Sequence, residues 1–516
     1  MIKRMKMSSR LNGPVKTSAT QGYSILALAL LLAIPHLALA DSAAHTVKPN
    51  VLFLCVDDLR PELGCYGKAS LKTPNIDKIA TQGTVFENAF CQIAICMPSR
   101  VSVLSGYRPE TITSGKIESE EFPKGMIPLP QLFRNEGYTA VSIGKIFHYN
   151  DDGTQFWDRK YTDTFHEQAA HHGWCSGYQL DANKNNFANY GRSLTRKGGD
   201  KLPRPASVER SNAPDEAYPD GIIAKTAIEE LKKLKAGGKP FFLATGFYRP
   251  HLPFAVPQKY WEMYKRDDIH LPLNSAPVID GVTKYDWNEL RRYGDIPNKG
   301  PLSEEKAKEL IHGYYASVSF SDAMIGKVLH ELKSLGLDKN TIIVLWGDHG
   351  WNLGEHGWWC KHTNYETSTH TVMLASAPGM KKNIRTEALV ELIDLYPSLC
   401  ELAGIKAPAY LEGTSFVPLM KNPKQPWKKA VFSIFGARTI RTKEYRLIKH
   451  RKSGAIELFD HKIDPGETRN VAEKPQYEEI KKELLKQLDA GWKPDLLLRT
   501  ISVLPNINSL RTTNYR

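Results

Sequence analysis

At 516 residues the chain can hold a large domain and a smaller one, because single cores seldom grow beyond ~300 residues. A hydrophobic content of 41% and a charged content of 24% exclude a disordered, collagen-like or polytopic membrane chain. The formal charge of +13 draws polyanions, although a generic basic protein with scattered charges gives the same sum, and no nucleic-acid partner is expected.

Residues 1–40 carry Lys3, Arg4, Lys6, Arg10 and Lys16 with no acid, then the apolar run Ser24 to Ile34, then Ala38-Leu39-Ala40 before Asp41. This is the pattern of a signal peptide cleaved after Ala40. Its apolar run is shorter than the ~20 residues that span a bilayer, so no stable membrane insertion is expected after cleavage. Beyond the leader, 64 Lys and Arg stand against 56 Asp and Glu, an excess of 8. No Asn is followed two residues later by Ser or Thr, so there is no N-glycosylation acceptor. A bacterial periplasmic or secreted protein is favoured over a lysosomal one.

Four apolar runs are each followed at once by ionisable residues: Val51 to Val56 before Asp57-Asp58, Thr139 to Ile143 before Lys145 and His148, Phe241 to Thr245 before His251, and Ile342 to Trp346 before Asp348-His349. Continuous rather than alternating hydrophobicity predicts parallel strands buried on both faces. Helical patterns lie between them over Thr73 to Gln82, Leu129 to Glu136, Gly221 to Lys235, Ser303 to Leu335 and Leu389 to Leu402. The expected fold is α/β, a large, mostly parallel central sheet flanked by helices. In such sheets ligands bind beyond the carboxyl ends of the strands, which is where all four polar clusters fall.

Residues 150–220 are polar, Asn/Gly-rich and irregular, as a loop insertion over a site would be. From about residue 421 the runs shorten to Ala430 to Phe435, Tyr445 to His450 and Ile456 to Phe459, with a turn at Asp464-Pro465-Gly466 and an amphipathic stretch over Gln476 to Leu488. These predict a small antiparallel sheet plus helix. The expected division is a leader over 1–40, a catalytic domain over 41–420 and a C-terminal subdomain over 421–516.

Seven cysteines (55, 65, 91, 96, 175, 360 and 400) are too few and scattered for a disulfide scaffold, and the odd count leaves one thiol for other chemistry. Cys96 is the candidate. It begins Cys96-Met97-Pro98-Ser99-Arg100, where Pro98 suits the first helical position and Gly106 can end the helix. A helix N-terminus favours a bound anion. A chain with seven cysteines should contain C-x-P-x-R by chance only ~0.02 times. Arg100 follows one helical turn later and can reach back to screen charge at residue 96.

Asp57 and Asp58 repel each other after a buried strand and call for a cation. Such a doublet is commonly a solvated loop or a cap, but Asp348 after a second strand turns the balance towards metal. An oxygen-rich site suits a hard ion, and Ca2+ tolerates irregular geometry better than Mg2+. Trp351, His356, Trp358 and Trp359 crowd the Asp348 loop; Trp351 is the candidate for stacking on a sugar, the others for packing.

The Cys96 to Arg100 box resembles the signature of the sulfatase family, within the alkaline phosphatase superfamily, over most of the chain from Pro49 to about Asn470. Gly144 to His148, Arg249 to Phe254 and Asp348 to Gly357 resemble the iduronate-2-sulfatase group most closely. The resemblance implies that a maturation enzyme oxidises Cys96 to formylglycine. One hydroxyl of the hydrated aldehyde then attacks sulfur to give an enzyme-bound sulfate, and loss of a proton from the second expels it. It implies metal ligands Asp57, Asp58, residue 96 and Asp348, with His349 adjacent or coordinating. Lys145 is implied to bridge the nucleophile and the sulfate, and His148 to be the base that collapses the intermediate. His251 and Lys361 are implied to bind sulfate, one of them protonating the leaving alcohol. The expected substrate is a sulfated glycan, foremost the 2-O-sulfate of iduronate or another uronate. Other readings remain: a sulfatase of another sulfated sugar or of a small-molecule sulfate, a phosphodiesterase or phosphonate hydrolase on the same scaffold, and a non-catalytic glycan-binding protein.

Overall fold

The computed structural model describes residues 48–112, 125–148, 153–161, 177–194, 203–285 and 289–492. The expected signal peptide, Cys175 and parts of the 150–220 insertion lie outside the described residues.

A nine-stranded sheet forms the centre. Its middle consists of Thr341–Gly347, Asn50–Val56, Phe241–Phe247 and Thr139–Gly144, side by side in that order and mutually parallel. Each is buried almost along its whole length. Alternate residues feed two cores: Leu52, Leu54 and Val56 pack on one face against Pro219–Gly237 and Glu304–Ser334, while Val51, Phe53 and Cys55 pack on the other against Leu129–Asn135 and Leu395–Leu402. Arg159–Tyr161 extends the sheet beyond Thr139–Gly144 in parallel. On the opposite side Met373–Ser376 runs antiparallel and joins Thr84–Phe90, which pairs with His370–Thr371 and, in parallel, with Ile384–Glu391. The expected α/β fold with a mostly parallel sheet is therefore the observed one.

The register sets the four central strands level at their carboxyl ends. Val56 stands opposite both Gly347 and Phe247, and Gly144 opposite Gly246. Glycine is required at the last pair: a Cβ on Gly246 would strike the Lys145 carbonyl, and Gly144 has a φ of +71°.

Two boundaries differ from expectation. Leu389 to Glu391 belong to a strand, and the helix expected from Leu389 begins at Leu395. The partner strand Thr84–Phe90 supplies hydrogen bonds that no local pattern foretells. The helix Cys96–Ser105 starts two residues before Pro98, which occupies its third position. Proline is still accommodated, since a first-turn N–H has no intrahelical acceptor. Gly106 ends this helix in the left-handed region as expected.

Downstream, Ala430–Ile434, Ala437–Thr442, Tyr445–His450 and Ile456–Asp460 form the expected small antiparallel sheet in sequential order. The helix Glu478–Ala490 buries Leu484 and Leu488 against Ile440, Leu447 and Leu458. Arg446 and Glu457 tie this sheet to the segment after Lys361: Arg446 Nη1 donates to the Asn364 carbonyl at 2.8 Å, and Tyr365 Oη to Glu457 Oε1 at 2.6 Å. No helix among the described residues is long and apolar enough to cross a membrane.

Candidate active site

Asp57-Asp58, Lys145, His251 and Asp348-His349 leave the four level strand ends and converge, although up to 292 positions separate them in sequence. Cys96 arrives at the same place from the N-terminus of Cys96–Ser105, and Lys361 from the turn after the short hairpin Asn352–Leu353 and Trp359–Cys360. Carboxylate, thiol and imidazole atoms of Asp57, Asp58, Cys96 and His251 lie within 4.8 Å of one another, as do those of Cys96, Asp348 and His349. All are buried.

Arg100 is the central strut. Its Nε donates to Asp348 Oδ2 at 2.9 Å and its Nη2 to Asp57 Oδ1 at 2.8 Å, while Nη1 serves the carbonyls of Lys145 and Ile146. Such a planar fork can hold two acids in one orientation as lysine cannot. Lys145 Nζ donates to the other oxygen of Asp57. Lys361 Nζ donates to Asp58 Oδ1 at 2.9 Å and to Cys96 Sγ at 3.3 Å, and stands 5.1 Å over the buried Trp351 ring.

The histidine tautomers follow from their carbonyl partners, since a carbonyl only accepts. His349 Nδ1 donates to the Gly350 carbonyl at 2.8 Å, which turns Nε2 towards Cys96 Sγ at 3.2 Å and Asp58 Oδ1 at 3.3 Å. His251 Nδ1 donates to the Leu252 carbonyl at 2.6 Å, turning Nε2 towards Asp58 Oδ2 at 3.8 Å. The His251 loop is anchored by Asp220, which accepts from the amides of Tyr248 and Arg249 at 2.7 and 2.8 Å.

Burial and charge act in opposition. Burial pushes the Asp57 carboxyl up, but Lys145 and Arg100 more than reverse this and hold it well below the ordinary range. Burial of Asp58 prevails over Lys361 and leaves its carboxyl well above that range. Burial opposes the charge of Lys361, yet Asp58, Cys96 and Glu289 keep the ammonium protonated. Burial, with Asp57, pushes the Cys96 thiol up to about 12. Burial, with the charge of Lys145, lowers His148 to about 3, so its ring is neutral at physiological pH. The acids exceed the charge that this cluster's own cations neutralise at Asp58, and a divalent ion fits the donor set.

Several site residues carry no sequence signal of their own. Ser99 Oγ donates to the Asp348 carbonyl, and Tyr314 Oη to the Asp58 carbonyl at 2.9 Å. Glu289 brings a fourth carboxylate, 3.2 Å from Lys361 Nζ. Ser99 was findable inside the Cys96 box; a lone glutamate between Asn288 and Leu290 was not. The six described cysteines, Cys96 included, are free of disulfides. Asp322 serves a structural end, accepting from the amides of Asn75 and Ile76 at the start of Pro74–Gln82.

Residues 49–405 match the sulfatase family, and residues 354–493 match the family described as N-sulphoglucosamine sulphohydrolase, C-terminal. The chain is 33% identical to iduronate 2-sulfatase of Mus musculus over 432 residues, covering 75% of this chain and 74% of that protein. It is 32% identical to a sulfatase of Formosa agariphila over 472 residues, 86% of this chain and 88% of that protein. Among solved structures, one in complex with its substrate D-glucosamine-2-N,6-O-disulfate aligns with a TM-score of 0.67 at 22% identity, covering 86% of this chain and 98% of that one. Phosphonate monoester hydrolase from Silicibacter pomeroyi aligns with a TM-score of 0.68 at 20% identity, covering 86% and 95%. At these identities the two structural likenesses speak for the fold alone. The family match spans both the strands that build the cluster and the residues that fill it, so the chain belongs to the sulfatase family and is a hydrolase of sulfate esters.

Proposed function

We propose that this sulfatase removes sulfate from a sulfated glycan, foremost the 2-O-sulfate of an iduronate or related uronate unit, after a maturation enzyme has oxidised Cys96 to formylglycine. The observation that carries the reading is the pocket around residue 96. Its side chain stands at a helix N-terminus with the Lys361 ammonium 3.3 Å away and Lys145 held on the neighbouring Asp57, an arrangement suited to an anion. Identity of 33% to iduronate 2-sulfatase supports the sugar assignment.

A thiol pushed up to about 12 is a poor nucleophile at neutral pH, which supports its conversion. Hydrated formylglycine would supply an oxygen nucleophile and a second hydroxyl whose deprotonation releases sulfate without water attacking sulfur. Asp57, Asp58, residue 96 and Asp348, with His349 beside them, would hold one Ca2+ in preference to Mg2+, and the ion would offset the carboxylates and polarise the sulfate oxygens. Arg100 orients Asp57 and Asp348 in this reading. Lys145 and Lys361 bind the ester's negative charge. His148 is neutral and so able to take a proton, and the leaving oxygen receives its proton from the Lys361 ammonium, or from His251 once a second proton has reached its Nε2. The buried Trp351 shapes the wall behind Lys361. The reading keeps the catalytic domain at 41–420, the C-terminal subdomain at 421–516, and export to the periplasm or medium by the leader over 1–40.

The test is an assay of protein coexpressed with a maturation enzyme on 2-O-sulfated uronate disaccharides, on aryl sulfates, and on the phosphate and phosphonate esters of the same alcohols. The sulfated disaccharides should be hydrolysed fastest, and Cys96→Ala should abolish turnover. The peptide containing residue 96 should be ~18 Da lighter than its cysteine form, and the mature N-terminus should be Asp41. Hydrolysis of aryl sulfates alone would defeat the sugar assignment, and preference for phosphonate esters would move the chain to the phosphonate hydrolase reading. Glycan binding without turnover, with Cys96 unmodified in host-derived protein, would support a binding protein instead.

A further inference from the structure

Glu289 lies 7% exposed among the catalytic candidates, where a carboxylate opposes the substrate's own charge. Its Oε1 is 3.2 Å from Lys361 Nζ and 3.5 Å from His251 Nε2, and its Oε2 is 3.8 Å from His362 Nδ1. One oxygen thus faces the two side chains between which the leaving-group donor has to be chosen. The backbone beside Lys361 is itself held in an unusual state: Cys360 and His362, both non-glycine, have φ of 69° and 76°. Residues in the left-handed region persist where surrounding contacts over-determine them. Lys361 donates to Asp58 at 2.9 Å and has Glu289 as a second buried acid at 3.2 Å. What Glu289 adds is direction, because Asp58 pulls the ammonium towards residue 96 and Glu289 pulls it towards His251.

We propose that Glu289 is a positioning residue for departure of the alcohol, its Oε1 drawing the Lys361 ammonium to the His251 side of the pocket so that this proton donor stands beside the departing oxygen. The inference rests on the sulfate-ester reading of the Cys96 pocket. In the step concerned, the attacking hydroxyl at residue 96 passes its proton to the Asp58 carboxylate, whose Oδ1 lies 3.8 Å from the residue 96 side chain, and its oxygen bonds to sulfur as the bond from sulfur to the substrate oxygen breaks. The electron pair stays on the substrate oxygen, which takes a proton from the Lys361 ammonium. Without Glu289 the Lys361 ammonium keeps Asp58 and continues to bind the anion, but its second direction is lost.

The dependence of rate on the leaving group separates this role from a structural one. Matured Glu289→Gln, which keeps shape and loses charge, is compared with Glu289→Asp and the parent on aryl sulfates of graded phenol acidity. A nitrophenolate departs almost unaided, whereas a weakly acidic phenol needs the proton. Glu289→Gln should lower kcat by ~100-fold on the least acidic phenol and by no more than ~3-fold on the most acidic, with KM little changed. Glu289→Asp should recover part of the loss. Equal losses across the series, or a fall in melting temperature that accounts for them, would overturn the proposal, as would an unchanged rate on the poorest leaving group. A parent inactive on every sulfate ester would instead sink the reading of the pocket.

Discussion

Replacing Arg100 with Gln tests whether the carboxylate cluster is held together by a cation of its own. The guanidinium is fully buried and serves Asp348 at 2.9 Å, Asp57 at 2.8 Å and two carbonyls. Asp57 would keep Lys145, whereas Asp348 would keep the Asp58 amide at 3.0 Å and lose its guanidinium partner. Removing one member of a buried ion pair costs about 3–5 kcal/mol, and leaving a carbonyl without its donor adds about 1 kcal/mol. The sum is about 5 kcal/mol. With an unfolding entropy of about 2 cal/mol/K per residue, a cooperative unit of ~400 residues loses about 1 °C per kcal/mol. Calorimetry in a chelator at neutral pH should therefore show a melting point about 5 °C below that of the parent. Arg100→Lys should fall between the two, because it keeps the charge without the fork. Calcium should restore part of the loss, since it neutralises the same oxygens. A metal-free Arg100→Gln protein melting within about 1 °C of the parent would refute the argument that this side chain holds the acids in place.

Calcium added to chelator-treated parent at 100 times its dissociation constant should stabilise the fold by about 2.7 kcal/mol, measured as a rise in melting temperature. The absence of any shift with calcium or magnesium would remove the metal from the account. Burial pushes Glu391 up, but Arg108 and Lys428 reverse this and hold it at about 2. A folded value below the ordinary 4.5 places this stabilisation fully above pH 4.5 and removes it as the pH falls towards 2. The stability gap between the parent and Glu391→Gln, followed by denaturant titration, should therefore shrink over that window by about 3 kcal/mol. His148→Gln should lower kcat by ~100-fold or more with sulfate-ester KM little changed, and a burst of alcohol should precede slow turnover if the lost step is sulfate release.

Legibility followed burial. Val51 to Val56 and its three neighbours are covered on both faces, and continuous hydrophobicity announces them. Thr84–Phe90 has Glu87 and Asn88 in its middle, and Ile384–Glu391 alternates towards solvent at Arg385 and Glu387, so neither presents a buried-strand run. Ala437–Thr442 hides behind two arginines, one of which, Arg441, is buried through its pairing with Glu366. The same division runs through the site. Residues tied to motifs of fixed spacing stand out in one dimension: Cys96 and Arg100 on one helical turn, Asp57-Asp58 and Asp348-His349 at strand ends. Glu289, Tyr314 and Asp220 act through contacts between distant segments, and no periodicity marks them.

The Asp57-Asp58 doublet presents a further problem of geometry. Adjacent residues on a strand point to opposite faces, so two neighbouring aspartates should not share one site. The chain solves this by leaving the ladder: Asp57 makes its last strand contact through its amide to the Phe247 carbonyl at 3.1 Å, and Asp58 turns to a φ of 58°. The left-handed turn lets both carboxylates reach the same cluster. It is pinned on both sides, since the Asp58 amide donates to Asp348 Oδ1 and its carbonyl accepts from Tyr314 Oη. Asn tolerates this backbone nearly as well as Asp, whereas Ala meets the left-handed penalty of about 1–2 kcal/mol. Asp58→Asn and Asp58→Ala both remove the charge opposite Lys361, but only Ala also strains the turn. In chelator, Asp58→Ala should be the less stable of the two by about 1 kcal/mol, read from denaturant midpoints at equal slope. Equal midpoints would mean that the turn imposes no preference at this position, and that the convergence of the two acids is due to their ligands rather than to the backbone.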